Sequence, residues 1–134
     1  MNVNINDQKF INSSLYQNFL SENPSEGFLK IRAYAASQAI PIQGLKVVVS
    51  TNMEDYNVIF YEGYTDNSGT IEKIVLPTPK LNSSDLVTPA SQIYTITATY
   101  LPDNKIQTFK VNLFENVSVV QSINIVPDMN RLGD

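Results

Sequence analysis

The feature that most restricts the fold of this chain is a long series of short segments in which apolar and polar residues alternate. Turn-forming residues separate the segments, as in Asp66-Asn67-Ser68-Gly69 and Pro102-Asp103-Asn104-Lys105. No long helical pattern interrupts the series. The alternating segments are residues 28–36, 45–51, 58–65, 70–76, 93–101, 106–114 and 117–126. About seven strands at this spacing predict an all-β protein built as a β-sandwich.

Length and composition indicate one domain with a proper core. The chain has 134 residues, of which 43% are hydrophobic and 16% charged, so it can bury enough apolar surface to fold. The predicted sandwich covers residues 27–127. Residues 1–26 form an N-terminal arm with a polar linker, and residues 128–134 form a C-terminal tail.

The residue types that the chain lacks argue against catalysis. It contains neither cysteine nor histidine, which excludes disulfides, thiol nucleophiles, histidine-ligated zinc and Ser-His-Asp chemistry. We therefore expect no catalytic residues, no cofactor and no metal. A net charge of −4 without a basic cluster argues against nucleic-acid binding. No stretch is apolar for long enough to cross a membrane, so we expect no membrane partner.

Two groups of acidic residues could form a calcium site or an acid–base pair, but both fit ordinary turns better. Asp66, Asn67 and Ser68 offer too few oxygen ligands for calcium, and they fit a β-turn. Glu54 and Asp55 are adjacent, and adjacent turn residues usually point apart. We interpret them as solvated loop charges rather than an acid–base pair.

Two further groupings suggest surface functions, and packing is again the favoured interpretation. Lys30 and Asn124, in the first and last predicted strands, are the residue types of an isopeptide crosslink. However, Lys30 faces away from Leu29 and Ile31, and no acid in residues 93–101 would promote the reaction. The aromatic side chains of residues 56–64 could stack on a carbohydrate, but core and cross-strand packing is the favoured role. They are Tyr56, Phe60, Tyr61 and Tyr64.

The N-terminal arm is the strongest functional candidate. Residues 2–11 give a short strand signal, residues 13–20 fit one or two helical turns, and residues 21–27 form a turn-rich linker. The arm could be an edge strand of its own domain or a strand donated to a neighbour, and we favour the neighbour. Such a head-to-tail contact forms rings or filaments. The predicted assembly interface is Val3, Ile5, Phe10, Ile11, Leu15 and Phe19.

Five segments, in this order and spacing, resemble a known family. They are residues 40–47, residues 65–69, residues 76–79, residues 94–98 and residues 123–127. Together they resemble the carboxypeptidase regulatory-like domain in the version found in clostridial spore cortex-lytic proteins. The resemblance implies a transthyretin-like, immunoglobulin-like β-sandwich that acts as a non-catalytic accessory or structural module. No lytic domain accompanies it in this chain.

These observations lead to one functional expectation and one alternative. We expect a self-assembling structural subunit of a spore-surface layer, an appendage or a particle released by lysis, polymerising through N-terminal strand exchange with copies of itself. The alternative is an accessory module that binds peptidoglycan or a spore-coat protein. Residues 1–7 lack the pattern of a signal peptide. We therefore expect cytoplasmic synthesis, in a Gram-positive bacterium, and arrival at the cell or spore exterior through the mother cell or lysis.

Overall fold

The computed structural model describes residues 1–36, 39–81 and 89–126, and this part of the chain is mostly β. In chain order the elements are β1 (Asn2–Asn4), α1 (Gln8–Ile11), α2 (Ser14–Glu22), β2 (Ser25–Ala35), β3 (Ile40–Pro41), β4 (Lys46–Met53), β5 (Tyr56–Tyr64), β6 (Thr70–Thr78), β7 (Gln92–Tyr100), β8 (Lys105–Leu113) and β9 (Ser118–Asn124). The all-β prediction is confirmed. The described residues contain nine strands instead of about seven, and the two shortest, β1 and β3, account for the difference. The predicted tail, residues 128–134, lies outside the described residues.

The strands form two mixed sheets. The first sheet has the order β1-β5-β4-β7-β8, in which β1 runs parallel to β5 and the other pairs are antiparallel. In the second sheet, Leu29 of β2 pairs with Ile74 of β6 and with Val119 of β9, so β2 lies between those two strands. Strand β9 runs parallel to β2, and β3 pairs with the end of β2.

The alternation in the sequence fills the space between the sheets. On β2, on β7 and on the first half of β4, every second side chain is fully or almost fully buried, while the residues between them are more exposed. Each fully buried aliphatic side chain contributes about 1.5–3 kcal/mol relative to its exposed state. The residues of these three strands that face the core are Leu29, Ile31, Ala33, Val47, Val49, Tyr94, Ile96 and Ala98.

The turn between β5 and β6 depends on one carboxylate and one glycine. Asp66 Oδ1 accepts hydrogen bonds from the backbone N–H groups of Ser68 (2.9 Å) and Thr70 (3.0 Å). Gly69 has φ +75°, and a Cβ at this position would overlap the carbonyl oxygen of Ala33. The turn brings β6 back against β2, where the Ala33 N–H donates to the Gly69 carbonyl at 2.7 Å.

The N-terminal arm packs on its own domain in the single chain. Only residues 2–4 form a strand, and residues 8–11, expected to continue the strand signal, form α1 instead. The helix begins there because Asp7 Oδ1 accepts hydrogen bonds from the N–H groups of Lys9 and Phe10. Ser13 caps α2 in the same way through Tyr16 N–H. The linker is shorter than expected, since β2 begins at Ser25.

Candidate assembly site at the N-terminal arm

Two phenylalanines of the arm belong to the hydrophobic core. Phe10 is 7% exposed and Phe19 is 9% exposed. The Phe10 ring lies 5.8 Å from that of Tyr56, and the Phe19 ring lies 5.7 Å from that of Phe60. Phe60 in turn meets Tyr94 edge-on at 5.5 Å. The arm therefore completes an aromatic cluster that continues into the sandwich.

The structure brings most of the predicted interface residues together on this domain. Val3, Ile5 and Leu15 are half-buried and pack against the core, alongside the buried Phe10 and Phe19. Ile11, the sixth predicted residue, is also half-buried but lies outside the core cluster. This arrangement matches the own-domain alternative for an isolated chain, and docking on a neighbour stays a prediction.

Strand β1 is attached to β5 mainly by backbone and amide hydrogen bonds, with a longer one of 3.4 Å from the N-terminal ammonium to the Asp55 carbonyl. The Asn57 N–H donates to the Met1 carbonyl at 2.8 Å, and the Ile5 N–H donates to the Ile59 carbonyl at 3.1 Å. Between their side chains, Asn57 Nδ2 donates to Asn2 Oδ1 at 3.1 Å. A second copy of the chain presents the same β5 edge, so these bonds can form within a chain or between chains.

A two-residue hinge, Asn23 and Pro24, joins α2 to β2. Asn23 is 4% exposed, and its Nδ2 donates to the Phe19 carbonyl at 2.9 Å. Its Oδ1 has no hydrogen-bond partner among the described residues. A buried polar atom left without a partner costs about 1–3 kcal/mol. The hinge lies in an open groove of about 420 Å³ whose lining includes Leu20 and Pro77.

The domain side of the hinge is held by Glu115. Its Oε2 accepts a hydrogen bond of 2.5 Å from the Ser25 hydroxyl, and its Oε1 accepts one of 3.0 Å from Leu81 N–H. These bonds, with a smaller contribution from the charge of Lys80, hold the pKa of Glu115 below its usual range. The start of β2 is thereby fixed, and any hinge motion falls on Asn23 and Pro24.

Three tyrosines in or beside the core, Tyr16, Tyr61 and Tyr94, act as neutral groups. Tyr94 is fully buried, and its hydroxyl donates to the Pro77 carbonyl at 2.6 Å. Burial raises the pKa of Tyr94 far above its ordinary value and also raises the pKa of Tyr16 and of Tyr61. None of the three is therefore a base near neutral pH.

The carboxylate of Asp66 is bound by the backbone and side chain of its own turn. The pKa of Asp66 is lowered, first by the hydrogen bond from Thr70 N–H and also by those from Ser68 N–H and the Thr70 hydroxyl. Glu54 occupies a tight turn with φ 54°. Among the described residues, no three acidic side chains converge to hold a metal ion. In the same part of the chain, no helix is long and apolar enough to span a membrane.

The crosslink candidates lie apart. Lys30 pairs across β2 and β9 with Val120, whereas Asn124 pairs with Tyr34, four positions further along. At about 3.3 Å per residue, this separation is about 13 Å. The Lys30 ammonium instead forms an ion pair of 3.2 Å with Glu72.

The row of aromatic residues is not an open platform. Tyr56 and Phe60 lie against the core and the arm, and Tyr61 is half-buried, while Tyr64 is 57% exposed. Packing, the favoured interpretation of this row, therefore describes three of its four members. Sequence reasoning missed that Asn23 is buried at the connection between α2 and β2. The signal was an Asn-Pro pair directly after a helical pattern, because helices usually end before the residue that precedes a proline.

Comparison with known proteins adds no identity to this geometry. No protein-family model matches the chain, and no curated protein matches it. The resemblance to the carboxypeptidase regulatory-like domain therefore stays a prediction.

Proposed function

We propose that this protein is a non-catalytic structural subunit that assembles by exchanging residues 1–22 between copies. The observation that carries the proposal is the way the arm is attached. The arm supplies Phe10 and Phe19 to the core, yet its covalent connection to the rest of the domain is a segment of two residues, Asn23 and Pro24. An exchanged arm makes the same contacts as a closed one, which is why domain swapping is a low-cost route to assembly.

The hydrogen bonding of the hinge favours opening of the arm, which exchange between copies requires. In the closed chain, the buried Oδ1 of Asn23 lacks a hydrogen-bond partner among the described residues. Opening the hinge exposes this atom to water, which recovers about 1–3 kcal/mol. Pro24 disfavours a helical conformation for Asn23, which has φ −126° and ψ 63°. A short hinge loop of this kind invites domain swapping. The closed form keeps the advantage of high effective concentration, so exchange increases as protein concentration rises.

The geometry of exchange sets the product. Reciprocal exchange gives two-fold dimers, while exchange in one direction around a series of copies gives rings or filaments. The setting that we propose is a spore-surface layer, an appendage or a particle released by lysis. The alternative of a peptidoglycan-binding accessory module lacks support from an exposed aromatic row, because Tyr56 and Phe60 are covered.

A cysteine-mixing experiment tests the exchange. The chain contains no cysteine, so single variants carry one thiol each. Asn2 and Asn57 are paired neighbours across β1 and β5, close enough for a disulfide. We would mix Asn2→Cys with Asn57→Cys at high concentration, oxidise them, and measure mixed disulfide dimers by mass spectrometry under denaturing conditions.

The expected result is a mixed dimer well above the level of a matched control. The control replaces Asn57→Cys with Ile93→Cys, which is exposed on β7, three strands away from β1 in the same sheet. If both mixtures give the same low yield at every concentration, the arm stays on its own domain and the proposal fails.

A further inference from the structure

We infer that the free edge of β9 is a second contact between copies, where β9 pairs antiparallel with β9 of another molecule about a two-fold axis. This contact is separate from the arm, since β9 belongs to the second sheet and β1 to the first. It does not require arm exchange.

The backbone of β9 is open on one side. Phe28 N–H donates to the Val117 carbonyl at 3.1 Å, and Ile125 N–H donates to the Tyr34 carbonyl at 2.8 Å. Odd-numbered residues of β9 therefore direct their backbone groups toward β2, and even-numbered residues direct theirs toward the free edge. Among the even-numbered residues lies Val120, whose side chain is 51% exposed.

Three side chains already donate to this edge. Gln121 Nε2 donates to the Ser122 carbonyl at 3.0 Å, Gln107 Nε2 donates to the Asn124 carbonyl at 3.2 Å, and the Lys105 ammonium donates to the Val126 carbonyl at 3.0 Å. All three bonds satisfy carbonyl groups toward the C-terminal end of the edge. None of them provides a partner for the backbone groups of Val120, which lie at the middle of the edge.

The absence of charged residues on β9 favours a second copy of β9 as the partner of this edge. Residues 116–126 contain no ionisable side chain, so two copies of β9 can pair without placing like charges opposite each other. The other long edges of the described sheets differ, because β8 carries Lys105 and Lys110 and β6 carries Glu72 and Lys73. Self-pairing of β8 would bring lysines together. An uncharged edge of seven residues, with Val120 exposed at its middle, is the one that suits its own copy.

The contact should be weak and reversible on its own. A standard stable interface buries about 800 Å² on each partner, and one strand pair supplies only part of that area. Its consequence for a polymer rests on the proposed function. If the arm exchanges reciprocally, each subunit has two different two-fold contacts, and their alternation builds an extended series of dimers.

A charge placed at the edge tests the pairing. The variant is Val120→Glu in the full chain, because Lys30 lies directly across in β2 and can accept a carboxylate neighbour in the monomer. The matched control is Ile93→Glu, whose side chain is also 51% exposed but whose strand is flanked by β4 and β8. Sedimentation velocity over a range of concentrations gives the dimer dissociation constant, and circular dichroism verifies folding.

We expect the unmodified chain and Ile93→Glu to dimerise alike, and Val120→Glu to dimerise at least tenfold more weakly. Equal dissociation constants for both variants would overturn the inference, and so would a strictly monomeric unmodified chain.

Single cysteines give a second readout that does not depend on repulsion. We would place one cysteine in turn at Val120, Gln121 and Ser122, because the residue nearest the two-fold axis faces its own copy. Oxidation should give a disulfide dimer for at least one of them and none for Val75→Cys. Val75 is also exposed, but it lies on β6, at the opposite edge of the same sheet. Yields equal to that of Val75→Cys for all three would reject the pairing.

The two proposals fail separately. A disulfide between Asn2→Cys and Asn57→Cys within one chain closes the arm and should leave the β9 dimer intact. If closing the arm abolishes dimerisation, the association belongs to the arm and the β9 inference is wrong. If β9 crosslinks while mixed Asn2–Asn57 disulfides are absent, only the arm-exchange proposal fails.

Discussion

Truncation of Phe19 measures how much the arm contributes to the folded domain. Phe19 is 9% exposed, and its ring lies 5.7 Å from Phe60 and 6.4 Å from Tyr16. A buried phenylalanine covers about 150–250 Å², and replacement by alanine loses about 150 Å² of it. At about 25 cal/mol per Å², this amounts to roughly 4 kcal/mol, within the range of about 3–5 kcal/mol observed for such substitutions.

The assay is urea unfolding of Phe19→Ala, followed by circular dichroism at low protein concentration. The matched control is Ile11→Ala, because Ile11 is half-buried on the same arm but outside the core cluster, and we expect a loss below about 1 kcal/mol. If Phe19→Ala costs no more than Ile11→Ala, the arm is not part of the core, and the reasoning about what an exchanged arm carries is refuted.

Three further substitutions test the surrounding structure. Gly69→Ala should destabilise by at least about 1 kcal/mol, because the residue has φ +75° and its new methyl group would overlap the Ala33 carbonyl; an unchanged melting temperature would contradict this. Tyr94→Phe should cost about 0.5–1.5 kcal/mol in urea unfolding, since the 2.6 Å hydrogen bond from its hydroxyl to the half-buried Pro77 carbonyl is lost; a neutral result would show that another donor, such as water, replaces it. Because the folded pKa of Glu115 is lowered, its contribution to stability is present above the unfolded value of about 4.3 and is lost as pH falls through the folded value. Glu115→Gln should therefore remove part of the loss of thermal stability that follows as pH falls below about 4.3. Parallel pH profiles of the variant and the unmodified chain would argue against it.

The strands were predictable from sequence because their periodicity is local. The alternation of β2 and β7 identifies both strands and divides their side chains into two faces, since successive side chains point to opposite faces. Helix α1 was not predicted, because the apolar Phe10 and Ile11 follow the alternating Val3 and Ile5 and were interpreted as part of the same strand signal. The side chain of Asp7 starts a helix there instead.

The candidate site was predictable only in part. The apolar residues of the arm were visible in the sequence, but the surface that they cover depends on the register of two other strands. The pairing of β4 with β5 shifts between Val49 and Ser50, which leaves Phe60 as the extra residue of a bulge. The burial of Asn23 likewise depends on tertiary packing, so a local pattern cannot reveal it.

The central claim is that arm exchange builds the assembly, and a reversible lock on the arm tests it most directly. The double variant Asn2→Cys/Asn57→Cys is refolded and oxidised at low concentration, then concentrated and examined by light scattering and negative-stain microscopy with and without reductant. The account predicts nothing larger than a dimer in the oxidised sample and large assemblies after reduction. Equal particle sizes in the two samples, whether large or monomeric, would contradict it.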